Sequence, residues 1–147
     1  MKVQKITPFL WFDNKAEEAA RFYESVFPNS KVIQVTPMVV TFELDGQQFM
    51  GLNGGPQFKF TEAFSLLVHC EDQKEVDYYW NKLTIDGGSE SQCGWLKDKY
   101  GLSWQIVPKQ LMELMSKPDR EKANKVMQAM LKMKKIIIVD LENAYNS

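Results

Sequence analysis

The stretch GWLKDKYGLSWQIVP (residues 94–108) places a glycine-containing turn between two short apolar segments. DKYG (98–101) has the composition of a tight turn, and the aromatic and β-branched residues on both sides of it are typical of strands. The stretch therefore predicts a β-hairpin, with SQCGWLK (91–97) as the first strand and LSWQIV as the returning strand. One polar residue, Gln105, interrupts the apolar returning strand, and its role is the question that this sequence raises.

The hairpin ends a series of elements that occurs twice along the chain. In each series a strand leads into a capped helix with one apolar face, and further strands follow. The two aspartates that end the first strands, Asp13 and Asp72, are 59 residues apart (72 − 13), and the turn glycines Gly46 and Gly101 are 55 apart (101 − 46). The sequence therefore predicts an internal duplication of a β-α-β-β-β unit. Its predicted strands outside the quoted hairpin are 6–12, 31–35, 39–44, 47–53 and 64–70, and its predicted helices are 15–27 and 73–83.

A third section follows Pro108. DREKANKVMQAMLKMKK (119–135) has apolar residues at helical spacing, and Pro118 with Asp119 marks the start of a helix. Its stripe of methionines is typical of a core or an interface. The last segment, KIIIVDLENAY (135–145), is compatible with either a short strand or a final helix. We expect 111–147 to form a helical tail that belongs to the same globule or to a dimer interface.

Composition narrows the class of protein. The chain has 147 residues and a formal net charge of −1, which fits one globular domain and does not favour binding to nucleic acid. The two cysteines, Cys70 and Cys93, lack metal-type spacing and predict reduced thiols in a cytoplasmic protein. The N-terminal segment has a strand pattern instead of the pattern of a signal peptide, and the longest apolar run near the C-terminus, IIIV (136–139), is too short to cross a membrane.

Five segments resemble one known family. The chain is similar to the PhnB-like family, often labelled demethylubiquinone methyltransferase-like, of the vicinal oxygen chelate superfamily, to which glyoxalase I and the bleomycin-resistance proteins belong. The segments that carry the resemblance are FDNKAEEAARFYESVFPNS (12–30), ELDGQQFMGLNGGPQFKFTEA (43–63), DQKEVDYYWNKL (72–83), CGWLKDKYGLSWQIVP (93–108) and KVMQAMLKMKKI (125–136).

The resemblance implies an α+β fold in which two tandem β-α-β-β-β modules form a curved, cup-like sheet. It divides the chain into a glyoxalase-like domain, 1–110, with modules 1–56 and 57–110, followed by the tail, 111–147. It also implies a homodimer. The chain departs from the family pattern at 34–40, where the connection between the second and third strands is shorter than usual.

In this superfamily metal ligands project into the cup from the first and last strand of each module. The resemblance places these positions at Ile6, Met50, Ser65 and Gln105. Mg²⁺ and Mn²⁺ prefer carboxylates and water, and Fe²⁺ and Zn²⁺ prefer imidazoles and carboxylates. One amide, one hydroxyl and two apolar side chains supply neither group. We therefore predict no metal and no other cofactor at this place.

Alternation along the strands predicts which residues line the cup. Ser103 and Val107 share a face with Gln105, and the opposite face is almost entirely apolar, as expected under a helix. The other residues that we expect on the cup face are Pro8, Leu10, Phe12, Gln48, Met50, Leu52, Ser65, Leu67 and His69. Trp104, Trp95 and Tyr100 are interpreted as structural. The predicted ligand-binding residues are Gln105, Ser65, His69, Met50, Leu67 and Leu10.

Three functions are compatible with this cup. The favoured one is binding of a small, partly aromatic ligand without a metal. The second is an enzyme (a lyase, an isomerase or a methyltransferase-like protein) that uses His69, the only histidine, or Cys93 to handle protons. The third is a dimeric interaction module with a vestigial cup. Methyl transfer of the nucleotide-fold type is not favoured, because NGG (53–55) follows a strand but does not lead into a helix.

Overall fold

A computed structural model describes residues 3–147 and divides the chain into two compact units, Met1–Phe60 and Thr61–Ser147. Each unit contains a four-stranded sheet with one helix packed on it. The elements of the first unit are β1 (Phe9–Phe12), α1 (Ala16–Val26), β2 (Lys31–Val35), β3 (Val39–Leu44) and β4 (Gln47–Asn53).

The second unit repeats this order and adds three helices. Its elements are β5 (Ser65–Cys70), α2 (Gln73–Leu83), β6 (Ser89–Glu90), β7 (Trp95–Lys97), β8 (Ser103–Pro108), α3 (Lys109–Met115), α4 (Arg120–Met130) and α5 (Ile138–Tyr145). Within residues 3–147, no helix combines the length and the apolar character that crossing a membrane requires.

The two sheets have the same topology. Their strand orders are β1-β4-β3-β2 and β5-β8-β7-β6, and in each sheet the first strand runs parallel to the last while the other pairs are antiparallel. A first strand can lie parallel to the last one only because the helix carries the chain across the sheet. The predicted α+β fold with two tandem β-α-β-β-β modules and a helical tail is confirmed.

The hairpin turn of the first unit has the predicted chemistry. Asp45 and Gly46 both have positive φ values, 47° and 81°, as a two-residue type I′ turn requires. This turn fixes the register of β3 on β4, in which Leu44 faces Gln47 and Thr41 faces Met50.

The two module helices begin differently. The Asp72 side chain caps α2 by accepting a hydrogen bond from the Glu75 N–H at 2.9 Å, as predicted. The predicted cap of α1 at Asp13-Asn14 is wrong. The cap position is Lys15, and the Asn53 Oδ1 atom at the end of β4 accepts from the Ala16 N–H at 2.9 Å. The acceptor that the helix terminus needs is therefore supplied across the sheet instead of from the preceding residue.

The predicted strand 91–97 is shorter in the structure. Cys93 and Gly94 have φ values of 59° and 85°, which interrupt an extended strand and leave β7 to begin at Trp95. The N–H groups of Cys93 and Gly94 donate instead to the carbonyls of Met133 and Lys134 at 2.8 Å each. The interruption thus provides the attachment point for the tail.

The segment 135–145, which pattern alone left open, contains the helix α5, and α3 is an additional helix that the sequence did not predict. The tail helices surround a hydrophobic cluster that includes the end of β8. Its buried members are Val107, Leu111, Leu114, Val126, Ile136 and Leu141. Met130 and Met133 pack against this cluster, so part of the methionine stripe belongs to the core of the second unit.

Candidate ligand-binding site

The sheet of the second unit has one face covered by α2. Residues that are paired side by side in a sheet have side chains on the same face, so the register shows on which face each side chain lies. Five residues lie on the face covered by α2, which we call the helix face: Leu66, Leu96, Trp104, Ile106 and Cys70. All of them except Leu66 are almost completely buried. We call the opposite face, which carries Gln105, the Gln105 face.

Three strands contribute to the Gln105 face. Leu67 on β5 and Trp95 on β7 lie on the two sides of Gln105 in the register. Gln105 Nε2 donates to Ser65 Oγ at 3.0 Å. Leu67 is 43% exposed, and the other three side chains are partly buried. The structure therefore brings three of the predicted ligand-binding residues, Gln105, Ser65 and Leu67, into one solvent-accessible patch.

His69 lies further along the same face, opposite Val107, and is exposed. Cys93 is in the turn before β7 and half-buried. No hydrogen bond joins the His69 and Cys93 side chains to each other or to another group among residues 3–147. Within the described part of the chain, neither side chain is therefore hydrogen-bonded to a group that could orient or activate it.

The other thiol is inert. Cys70 lies on the helix face, and burial, reinforced by the charges of Glu75 and Asp72, raises the pKa of its thiol to about 12. A thiol that stays protonated at neutral pH is a poor nucleophile.

One ion pair stands on the Gln105 face. Lys97 is paired in the register with Ser103, and its Nζ atom contacts the Glu62 carboxylate that precedes β5. The hydrogen bond from Lys97 is the main cause that lowers the pKa of Glu62. Lys97 and Glu62 neutralise each other, so neither leaves an unpaired charge for a ligand.

A buried hydroxyl lies beside this ion pair. Ser103 is 1% exposed, and its Oγ atom has no hydrogen-bond partner within the described part of the chain.

In the first unit the predicted face of Leu10 is wrong. β1 pairs with β4 so that Phe9 lies beside Met50 and Leu10 beside Gly51. Leu10 and Met50 therefore point to opposite faces, and Leu10 is 4% exposed. The prediction applied the 59-residue offset between Asp13 and Asp72 to the first strands of the two modules as well. The strand registers give an offset of 58, because Phe9, beside Met50, corresponds to Leu67, beside Gln105 (67 − 9). A slip of one residue moves every side chain to the other face.

Contacts under α1 show why β1 has this register. Phe12, which was also expected on the cup face, points toward α1. A Cβ atom on Gly51 would lie 3.2 Å from the Phe12 ring and 3.3 Å from Ala16 Cβ. The missing side chain of Gly51 thus makes room for a phenyl ring between strand and helix. Phe9, 52% exposed, and Trp11 take the Met50 face instead, contrary to the prediction.

The corrected register also changes one of the four positions at which relatives bind metals. Ile6 lies outside β1 and is 83% exposed, and the residue that corresponds to Ser65 is Thr7. Thr7 is a neutral hydroxyl like Ser65. Neither Thr7 with Met50 in the first unit nor Ser65 with Gln105 in the second supplies a carboxylate or an imidazole. Neither pair fits the ligands that Mg²⁺, Mn²⁺, Fe²⁺ or Zn²⁺ prefer.

The glycines after β4 pack on an aromatic side chain. A Cβ atom on Gly54 would lie 2.3 Å from the Trp11 ring, and the Gly55 carbonyl accepts from Trp11 Nε1 at 2.9 Å. The Phe58 ring meets the Trp11 ring edge-on at a centroid distance of 4.9 Å. NGG (53–55) therefore wraps Trp11 and does not form the strand-to-helix turn of a nucleotide site.

Sequence reasoning missed one residue of the patch. Trp95 was interpreted as structural because it is close to the turn, yet it lies directly opposite Gln105. Counting outward from the turn would have found this position. Asp98 organises the turn by accepting from the Tyr100 N–H, the Leu102 N–H and Trp104 Nε1 at 2.8–3.1 Å.

The fold, with its duplicated sheet, defines the class of protein. It is the fold of the vicinal oxygen chelate superfamily, also known as glyoxalase/bleomycin-resistance proteins. A glyoxalase/bleomycin resistance protein from Albidiferax ferrireducens aligns with 71% of this chain and 98% of its own at 13% identity, with a TM-score of 0.53. The fosfomycin resistance protein FosX from Listeria monocytogenes, crystallised with Mn(II) and sulfate, aligns with 74% of this chain and 91% of its own at 14% identity, with a TM-score of 0.56. At these identities the likeness shows the fold alone.

Within that class the family is also clear. A family model described as 3-demethylubiquinone-9 3-methyltransferase matches residues 4–107. A PhnB protein from Bacillus cereus, described as a putative enzyme of that name, is 38% identical over 71% of this chain and 99% of its own, with a TM-score of 0.66. The chain belongs to this PhnB-like family. Among functionally curated proteins none matches it.

Proposed function

We propose that the protein binds a small, partly aromatic organic molecule on the Gln105 face without the help of a metal. The observation that carries the proposal is the hydrogen bond of 3.0 Å between Gln105 and Ser65 beside the exposed Leu67. Sites for small molecules combine apolar surface with a few fixed polar groups, and this patch has both. His69, on the same face, is a further proposed ligand-binding residue. Met50 lies on the corresponding face of the first unit, where its predicted role in ligand binding stays a prediction, and Leu10 is withdrawn.

A catalytic role has weaker support. His69 and Cys93 have no activating partner among the described residues, and NGG (53–55) packs against Trp11 and accepts its indole N–H. The methyltransferase name of the family is therefore not extended to an activity of this chain. If an activity is found, His69→Ala and Cys93→Ser will show whether either residue contributes to turnover.

The binding proposal is tested by native mass spectrometry and thermal shift. We expect a small molecule to co-purify with the wild-type protein, or a small aromatic compound to stabilise it, and Gln105→Ala to abolish the effect. Gln92→Ala, at an exposed position in the turn before β7, is the matched control and should behave like the wild type. Strong stabilisation by Mn²⁺, Ni²⁺ or Fe²⁺ that disappears in Gln105→Ala would contradict a metal-free site.

We also propose that the protein is a cytoplasmic homodimer. Both cysteines are free thiols, which supports a reducing compartment. Several large apolar side chains of the first unit are exposed, among them Phe58 (66%), Met38 (59%) and Phe9 (52%), which supports a protein–protein contact. Sedimentation equilibrium at micromolar concentration should give twice the chain mass, and a clean monomer would rule the dimer out.

A further inference from the structure

The four tryptophans differ in what their indole N–H groups contact. Trp11 Nε1 donates to the Gly55 carbonyl at 2.9 Å, Trp80 Nε1 to a Glu90 carboxylate oxygen at 2.8 Å, and Trp104 Nε1 to an Asp98 carboxylate oxygen at 2.9 Å. Buried or half-buried indoles normally find such a partner. Within residues 3–147 the indole N–H of Trp95 has none, and its nitrogen is not buried. It is therefore a donor that is open to a partner from outside the chain.

This donor stands beside the proposed ligand-binding residues. Trp95 on β7 is directly opposite Gln105 on β8, and side chains in that relation have Cβ atoms about 4.5–5.5 Å apart. Leu67 on β5 lies on the other side of Gln105. Three side chains thus form one row across three neighbouring strands: the indole of Trp95, the amide of Gln105 and the isobutyl group of Leu67.

The hydrogen bond to Ser65 orients the amide in this row. Gln105 Nε2 donates to Ser65 Oγ, so Gln105 Oε1 is left as an acceptor with no partner among the described residues. The Ser65 hydroxyl accepts this bond and retains its own proton for donation. The row and Ser65 together offer three donors (the Trp95 indole N–H, the Ser65 O–H and the second N–H of Gln105 Nε2) and an acceptor in Gln105 Oε1, all uncharged.

Charge on this face is already balanced. Lys97, the nearest cation in the register, contacts Glu62. A charged ligand would lose water without gaining an opposite charge, which is costly, whereas a neutral polar group can exchange its water for the hydrogen bonds of the row.

We propose that Trp95 is a ligand-binding residue and that the ligand class is a neutral planar amide or lactam on an aromatic ring. The amide carbonyl accepts from Trp95 Nε1 or the Ser65 hydroxyl, the amide N–H donates to Gln105 Oε1, and the ring packs on Leu67 and the indole. This inference rests on the proposed function and deepens it, because it names the chemistry that the Gln105 face selects.

The test uses the four indole cross-peaks in ¹H–¹⁵N spectra of the ¹⁵N-labelled protein, with each peak assigned by a Trp→Phe substitution. The probes are benzamide, benzoate and benzylammonium, which share a ring and differ in charge. We expect benzamide to shift the Trp95 peak saturably, and the two charged probes to bind roughly tenfold more weakly or worse. The peaks of the other three tryptophans should change little.

Variants separate the contributions. Trp95→Phe keeps a ring and removes the N–H. It should weaken benzamide binding roughly threefold to tenfold, as measured from the shift of the Leu67 backbone amide peak. Its three remaining indole peaks report whether the variant is folded. Gln105→Glu should abolish the preference for benzamide, and Gln92→Glu, the same change at an exposed position, should not. Leu67→Asn, at a position that is 43% exposed, should weaken binding as well.

The possible outcomes distinguish this inference from the proposed function. Binding of benzamide at Leu67 or Ser65 without a change at Trp95, or a preference for benzoate or benzylammonium, overturns the inference and leaves ligand binding intact. The same conclusion follows if no probe shifts the Trp95 peak up to its solubility limit while another compound stabilises the wild type and not Gln105→Ala. Stabilisation by a metal that depends on Gln105 overturns the proposed function itself.

Discussion

At the residue scale, the chemistry of the candidate site follows from which polar atoms are already paired. Gln105 donates to Ser65 and keeps an acceptor, while the indole of Trp95 keeps a donor. Trp104, one residue before Gln105, points to the other face, and its indole N–H donates a hydrogen bond to Asp98. Neighbouring residues of one strand therefore have different roles, because alternation sends one side chain into the core and the next toward solvent.

The two thiols should differ sharply in reactivity. Cys70 is 1% exposed, and burial raises its pKa to about 12, so its thiolate is scarce at pH 8. Cys93 is half-buried. We expect iodoacetamide at pH 8 to label Cys93 first and Cys70 only on unfolding, as followed by mass spectrometry. Equal labelling of both thiols in the native protein, or loss of all labelling in Cys70→Ala, would contradict this assignment.

The same shift makes stability depend on alkaline pH. Below about pH 9, the ordinary pKa of this thiol, Cys70 is protonated whether the chain is folded or unfolded. As the pH rises from there toward about 12, only the unfolded chain releases the proton, so the free energy of unfolding falls. Urea unfolding at pH 8 and pH 10.5 should show a smaller fall in Cys70→Ala than in the wild type. The same fall in both proteins would show that other groups cause it.

At the element scale, the tail is attached to the second module through particular backbone groups. Gln73 at the start of α2 donates from Nε2 to the Ile136 carbonyl at 3.0 Å and accepts the Ile138 N–H on Oε1 at 2.8 Å. Lys135 contacts Asp77 at 2.9 Å, and its hydrogen bond is the main cause that lowers the pKa of Asp77. The start of α5, which has no capping side chain of its own, thus receives an acceptor from α2.

Removing this acceptor should loosen the tail locally. Each hydrogen bond contributes about 0.5–1.5 kcal/mol, so we expect Gln73→Ala to increase hydrogen exchange at 136–141 by about tenfold or more, while β8 keeps its protection. Gln128→Ala, at an exposed position of α4, is the matched control. Unchanged exchange at 136–141, or an equal increase throughout the second unit, would show that Gln73 does not hold the tail in this way.

At the scale of the whole molecule, the chain forms two compact units, and the tail helices belong to the second. Val107 at the end of β8 is buried in the same cluster as Ile136 and Leu141. The second module therefore shares a core with helices that lie outside the duplicated pattern.

Leu141→Ala tests this shared core. Leu141 is fully buried, and its truncation should lower the free energy of unfolding of the second unit by about 2–5 kcal/mol, as measured by urea unfolding with the Trp95 indole signal as probe. Leu131→Ala, at a position that is 51% exposed, should change it by less than about 0.5 kcal/mol. If Leu141→Ala unfolds the tail without affecting the Trp95 signal, the tail and the sheet do not form one cooperative unit.

Strand and helix periodicity, the turns at Asp45-Gly46 and DKYG (98–101), and the duplicated order of elements determined the fold class and most element boundaries. These are local properties: a side-chain period of two or 3.6 residues and a turn that needs positive φ are written in neighbouring residues. Alternation placed Leu67 on one face of β5 with Ser65, and Gln105 on one face of β8 with Ser103 and Val107. The resemblance to the family, and not local counting, joined these two sets in one cup.

Only the tertiary structure decided the face of Leu10, the cap of α1 and the helical form of 138–145. Each depends on a partner that is distant in sequence: Gly51 makes room for Phe12, Asn53 supplies the cap, and Gln73 receives the start of α5. A register is a relation between two strands, and a slip of one residue reverses every side chain, so counting along a single strand cannot fix it.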